Sequence, residues 1–313
     1  MSGVLVLDRA QTRAALDPAE VTAAVARALV AVARDEVSVP PRIAARTPTG
    51  LLGAMPGHVP GLGLAAKLVS VFADPAAPGR SSHRGVVALF DEQDGRPLAL
   101  MDAEPLTAVR TAACATLSMQ ALAAPSPRRV AVLGTGTQAR AQLALLAGLD
   151  PRTRVVVGGR DLERARRAAE LLPGAAAGTV AEALDGADVV FCCTDASAPV
   201  LHRAAPAPGA HISSVGGSRG PELDAATVRD ASLFVEWPGA ASPPPVGAHE
   251  LRDVPAGRLT LLGSVLDGTA PGRRSRDELT VFKSTGHAAL DVAAASVAFR
   301  TARSRGLGTV VDL

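Results

Sequence analysis

From Arg128 to Val235 the chain alternates short, almost wholly apolar runs with segments of helical periodicity. Continuous apolar strands separated by helices require a parallel sheet covered on both faces, since a strand wetted on one side would carry a polar residue at every second position. The first run ends at Leu133 and passes straight into Gly134-Thr135-Gly136-Thr137-Gln138-Ala139, after which a helix begins. In that strand, turn and helix setting, GxGxxA is a dinucleotide fingerprint. Gly134 permits the tight turn, Gly136 lets backbone approach a pyrophosphate, and Ala139 allows close helix packing.

The flanks read differently. Asp17-Pro18-Ala19-Glu20 predicts a helix start, with Asp17 as cap and Glu20 completing a capping box, and Val21, Val25, Leu29 and Val32 continue the helix to Pro40-Pro41. Arg42 to Met101 breaks into short β-type runs with a hairpin turn at Asp94-Gly95. A long helix covers Pro105 to Ala124, and the Pro125-Ser126-Pro127 cluster behind it marks a domain boundary. A last strand near Thr280, a helix from about His287 to Arg305 and a terminal strand close the chain. Gly239 to Pro245 reads as a loop.

Composition narrows the function classes. Lys and Arg number 32 against 30 Asp and Glu, a net charge of +2 without clustering, so no nucleic-acid or membrane partner is expected. Three cysteines, two of them the neighbours Cys192 and Cys193, suit a reducing compartment, and the N-terminus reaches Asp8 and Arg9 before any apolar leader forms. A cytoplasmic location follows. The six histidines lack HxxxH or HxH spacing and the cysteines lack CxxC, so no metal site is expected.

Three isolated cations stand out: Arg42 after the proline pair, Lys67 inside a strand-like apolar run, and Arg110 in the middle of the long helix. Singly, each reads as a structural or solvated charge. Beyond the second apolar strand, Arg160 stands where a cation suits the 2′-phosphate of NADP, which favours NADPH over NADH; its neighbour Asp161 either reaches the ribose or caps the following helix. Asp224 reads as a helix cap.

Five blocks together resemble the ornithine cyclodeaminase and μ-crystallin family: Met55-Pro56 with Lys67, Arg110 to Ala113, Gly134 to Ala139, Ile212 to Ser218 running on to Asp224, and Val281 to Gly286 with Asp291. The resemblance implies an α/β fold in which a Rossmann dinucleotide-binding domain (125–288) is inserted into an α+β substrate and dimerisation domain (1–124 with 289–313), and a homodimer. It implies that Arg42, Lys67 and Arg110 clamp the α-carboxylate of an imino or amino acid, with Ser218 beside it and Lys67 as catalytic proton donor. It also implies that Arg110, Thr111, Gly134, Gly136, Thr137, Gln138, Thr194, Val215, Gly216 and Ser284 touch the cofactor.

The departures from the family's cyclodeaminases matter. Those enzymes carry an acid after the paired glycines, where this chain has Ser218, and another two places before the Met of Met-Pro, where it has Gly53. Without these carboxylates, water attack lacks its base. The expected reaction is therefore reduction of an α-imino acid, a ketimine such as pyrroline-2-carboxylate or piperideine-2-carboxylate, by hydride transfer to C2. Alternatives are an alanine-dehydrogenase-like or N-alkyl amino acid dehydrogenase, then a cyclodeaminase, then a non-catalytic ligand-binding protein. A carboxylate lodged among the three cations would favour deamination.

Overall fold

The computed structural model describes residues 3–72, 83–217, 219–244 and 246–312. Along the chain run β1 (Val4–Leu7), α1 (Arg9–Ala15), α2 (Pro18–Ala33), β2 (Ile43–Thr47), β3 (Gly50–Val59), β4 (Gly63–Phe72), β5 (His83–Phe90), β6 (Pro97–Asp102) and α3 (Ala103–Leu122). Then come β7 (Arg129–Leu133), α4 (Thr137–Leu145), β8 (Arg154–Gly158), α5 (Leu162–Ala169), β9 (Ala176–Gly178), α6 (Val180–Leu184), β10 (Val189–Cys192), β11 (His211–Ser214), α7 (Ala225–Asp230) and β12 (Ser232–Val235). The chain ends with β13 (Leu259–Leu261), α8 (Leu262–Leu266), β14 (Thr280–Lys283), α9 (Ala288–Arg305) and β15 (Thr309–Val311). It divides into two compact units, one of Met1–Arg110 with His287–Leu313 and one of Thr111–Gly286.

The first unit is a seven-stranded sheet in the order β15-β1-β6-β5-β4-β3-β2. Side chains alternate between its faces. Met55, Lys67, Val87 and Met101 are in register across β3, β4, β5 and β6 and form one buried row, in which Lys67 is the only charge. Helix α9 packs against β3 and β4, and almost every residue in its first three turns is buried. The opposite face of these strands carries exposed Ile43, Leu52, Leu64, Leu68 and Phe72, with Ile43 at 68% exposure. The hairpin expected at Asp94-Gly95 is present, with Gly95 at φ 75° and its N–H bonded to the Asp91 carbonyl.

The second unit is an eight-stranded parallel sheet in the order β13-β12-β14-β11-β10-β7-β8-β9, with helices on both faces, which is the Rossmann architecture. Neighbouring Cys192 and Cys193 point to opposite faces and enter separate cores. Both are buried, as is Cys114.

Caps fall where side chains allow. Asp17 accepts from the Ala19 and Glu20 N–H groups, whereas the reciprocal capping box forms one helix earlier, between Asp8 and Gln11. The division between units lies inside α3, ahead of the Pro125 cluster where the sequence suggested it. The C-terminal half of α3 is bound into the second unit by polar contacts: the Ser118 hydroxyl lies 3.1 Å from His211 Nε2, and the Thr280 hydroxyl donates to the Leu122 carbonyl at 3.1 Å.

His211 is fully buried between the hydroxyls of Ser118 and Thr280, and burial together with the Arg273 charge pushes its pKa from 6.5 down to about 3. The folded state thus binds fewer protons than the unfolded one between pH 6.5 and 3, and this contribution to stability falls as pH drops through that window. Urea unfolding measured between pH 7.5 and about 5 should show the loss beginning near pH 6.5. His211→Gln should flatten the slope by about 1.4 kcal/mol per pH unit.

Candidate active site

In the first unit, α9 supplies Asp291, β4 supplies Lys67 and α3 supplies Arg110. Lys67 Nζ lies 2.7 Å from Asp291 Oδ2, and Arg110 Nε donates to Asp291 Oδ1 at 2.8 Å. Asp291 is only 2% exposed, and both cations are buried with it. The approach of Lys67 is that of an ion pair rather than an aligned hydrogen bond.

Burial is the largest influence on Lys67 and lowers its pKa; Asp291 opposes this, while Arg110 and Arg42 add to it, and the result is about 8. At Asp291, burial favours the neutral acid, but the charges of Arg110 and Lys67 and their contacts outweigh it and hold the carboxyl below its ordinary value.

In the second unit, the glycine turn has the geometry its spacing predicts. Gly134 sits at φ 113°, and a Cβ there would lie 2.5 Å from the Cys193 carbonyl oxygen. Gly136 caps α4 without any side-chain hydrogen bond, and a Cβ there would meet nothing within 4 Å. The first-turn N–H groups of α4, beginning at Thr137, therefore have no side chain over them, and Ala139 is fully buried against the core. Gln138 Oε1 is buried with no hydrogen-bond partner among the described residues. A dinucleotide pyrophosphate fits this cradle.

Arg160 is exposed just past β8, and Gly159 beside it would bring a Cβ within 3.2 Å of the Thr135 side chain, so this strand tip adjoins the glycine turn. Asp161 caps α5 by accepting from the Arg164 N–H at 3.0 Å. Asp224 likewise caps α7, through the Thr227 N–H at 2.8 Å.

The ends of β10, β11 and β14 carry the other expected cofactor contacts, and buried carboxylates secure them. Thr194 and Gly216 bond to Glu222. The Ser284 hydroxyl donates to Glu236 at 2.7 Å, and Glu236 also accepts from the Thr285 and Gly286 N–H groups. The Val215 N–H donates to the Cys192 carbonyl, and Thr111 is buried at the start of this unit. Lys283 is buried 3.1 Å from Glu250.

The sequence matches the ornithine cyclodeaminase/mu-crystallin family over residues 4–306. The chain belongs to that family. It is 34% identical over 268 residues to a Delta(1)-pyrroline-2-carboxylate reductase of Paracoccus denitrificans, covering 80% of this chain and 83% of the relative. It is also 34% identical over 258 residues to the ketimine reductase mu-crystallin of Mus musculus, covering 80% of each. The fold is similar to that of the Thermococcus litoralis Delta(1)-pyrroline-2-carboxylate reductase solved with NADH and L-proline: TM-score 0.90, 28% identity, covering 98% of this chain and 100% of that one.

Of the residues that the family resemblance pointed to, Lys67 and Arg110 meet on Asp291, the charge of Arg42 acts on Lys67, and Ser218 lies outside the described residues. Asp291, in the family block but given no role from sequence, proves to be the centre of the cation cluster. Glu222, Glu236, Glu250 and Lys283 were also without assigned roles. Apart from Ser214 and Gly216, which lie within eight positions of Glu222, the partners of these side chains are 28 or more positions away, beyond what local spacing can indicate.

Removing the negative charge at Asp291 leaves two buried cations without their counter-ion. Asp291→Ala should lower unfolding free energy by about 3–5 kcal/mol in urea titrations, far more than loss of the exposed Arg152–Asp150 pair.

Proposed function

We propose that this chain is a nicotinamide-dependent oxidoreductase that reduces an α-imino acid at C2 to the amino acid. The observation carrying this reading is the buried cluster of Lys67, Arg110 and Asp291 with the charge of Arg42 acting on it. Lys67 and Arg110 share the one carboxylate of Asp291, an excess of positive charge suited to an anionic substrate. The names of the family relatives, pyrroline-2-carboxylate and ketimine reductases, point the same way.

Arg110 has Nε committed to Asp291, so its η nitrogens are the part of the guanidinium that a substrate carboxylate can use. Arg42 adds a second charge to that clamp. Lys67, with a pKa near 8, is protonated at neutral pH yet releases its proton more readily than an ordinary lysine, which fits it to protonate the imine nitrogen. A bound nicotinamide cofactor supplies the hydride that adds to C2. Asp291 holds Lys67 and Arg110 in place and supports the protonated state of Lys67.

Arg160, exposed at the β8 tip beside the glycine turn while Asp161 is engaged in capping α5, favours NADPH over NADH. The apolar outer face around Leu52 and Leu68 supports a homodimer, since apolar patches of this kind mark protein contacts. On this reading the first unit binds substrate and its own copy, and the second holds the dinucleotide. The buried thiols Cys192 and Cys193 suit a reducing cytoplasm.

One observation favours a second reading. Asp291 is a carboxylate among the cations, the arrangement that would assist deamination. Its double ion pairing and lowered pKa make it a weak proton acceptor, so it serves as counter-ion rather than as base for water. NAD-dependent ammonia release from ornithine at a rate above imine reduction would reverse this order.

Oxidation of NADPH with pyrroline-2-carboxylate or piperideine-2-carboxylate tests the assignment directly. The kcat/KM for reduction should fall tenfold per pH unit above about pH 8, as Lys67 loses its proton. Lys67→Met should lower kcat/KM by about a hundred- to ten-thousand-fold and abolish that limb. In Asp291→Asn the limb should move to lower pH, because the ion pair that raises the Lys67 pKa is lost. Light scattering should give twice the chain mass for the wild type and the single-chain mass for Leu52→Glu/Leu68→Glu.

A further inference from the structure

Glu222 is fully buried in the loop between β11 and α7, and its two oxygens accept four hydrogen bonds. Oε1 takes the Thr194 N–H at 2.7 Å and the Thr194 hydroxyl at 2.6 Å; Oε2 takes the Ser214 hydroxyl at 2.7 Å and the Gly216 N–H at 2.9 Å. One carboxylate thus fastens together the C-terminal ends of β10 and β11, adjacent parallel strands of the sheet. In open α/β sheets, ligands bind beyond these ends.

The approach is close. A Cβ on Gly216 would lie 2.1 Å from the Thr194 carbonyl oxygen and 2.6 Å from Glu222 Oε1, so the two loops can meet this way only around glycine. Lys283, at the end of β14, completes the arrangement. It donates to the Ser214 hydroxyl and the Gly216 carbonyl, each at 2.9 Å, and stands 3.9 Å from Glu222 and 3.1 Å from Glu250. Buried charge of this kind is tolerated only when its hydrogen bonds are made, and Glu222 has all of its bonds within these loops.

We infer that Glu222 is the positioning residue for nicotinamide cofactor binding: it touches no ligand itself and acts by fixing Thr194 and Gly216 at the ends of β10 and β11. This rests on the proposed dinucleotide role of the second unit. Because the carboxylate is sealed from solvent, any effect of changing it on cofactor affinity must pass through the loops it holds. An amide in its place cannot accept from the Thr194 and Gly216 N–H groups on both sides at once, so one loop is released.

The test is titration of the purified full-length protein with NADPH and with NADH, following quenching of the Trp237 emission or enhancement of the cofactor's own, without substrate. Glu222→Gln should raise the cofactor Kd about tenfold or more, the effect of losing one charge-assisted hydrogen bond. KM for the imino acid at saturating cofactor should stay within about twofold, a split that general loosening of the fold would not produce. Thr194→Val should also weaken cofactor binding, and Thr194→Ser should restore it.

A folded Glu222→Gln protein with wild-type cofactor Kd overturns the inference, as does a loss of imino-acid affinity equal to that of cofactor affinity. If Glu222→Gln does not fold, the Thr194 pair decides: wild-type affinity in Thr194→Val overturns the inference, and weakened affinity restored by serine supports it. Failure of the wild-type protein to bind either nicotinamide nucleotide would refute the proposed function itself, which separates the two failures.

Discussion

A carboxylate enclosed between a lysine and an arginine governs the first unit. Asp291 comes from the C-terminal helix, Lys67 from the middle of a sheet strand and Arg110 from the long helix after that sheet. None of the three charges is tolerable alone at such burial, and each is made tenable by the others. This mutual dependence explains why a unit begun by the N-terminal sheet is completed by residues after Gly286. The sheet row of Met55, Lys67, Val87 and Met101 would bury an unpaired ammonium without α9 over it.

The second unit uses the same physics to a different end. Its strand tips leave peptide N–H groups beyond the sheet ladder, and Glu222 and Glu236 collect several of them at once. A carboxylate is well suited to this because it accepts only and offers about four lone-pair directions. These loops are thereby held by buried charge, and the entropy of ordering them is spent during folding. The glycine turn needs no such support, since φ at Gly134 and the bare N-terminus of α4 are fixed by the backbone alone.

What was legible in the sequence was local. The GxGxxA turn, the caps at Asp17, Asp161 and Asp224, the hairpin at Asp94-Gly95 and the long C-terminal helix each depend on residues within a few positions of one another. Two short helices, α1 and α6, escaped notice although each carries a capping box, Asp8 with Gln11 and Thr179 with Glu182. Their apolar stripes are too short to show periodicity. The buried carboxylates were illegible for a different reason. Asp291 and Arg110 are separated by 181 positions, and Glu236 and Ser284 by 48, so nothing in the neighbourhood of either member announces the other. Only the family resemblance marked Asp291, and it did so without a role.

On the proposed mechanism, the location of the proton suits the first unit's charge balance to imine reduction. Adding a proton to an imine from solvent would create a new cation beside Arg42 and Arg110, which opposes it. Passing a proton from Lys67 to the imine nitrogen creates no net charge, because one ammonium disappears as one iminium appears. Burial and the neighbouring arginines have already brought Lys67 to a pKa of about 8, while Asp291 keeps it from falling further and emptying at neutral pH. The same pairing holds the carboxyl below its ordinary value, which makes it a weaker base toward water. On the proposed mechanism, a single buried acid keeps the lysine charged for donation and, by the same pairing, is itself a weaker base for hydrolysis.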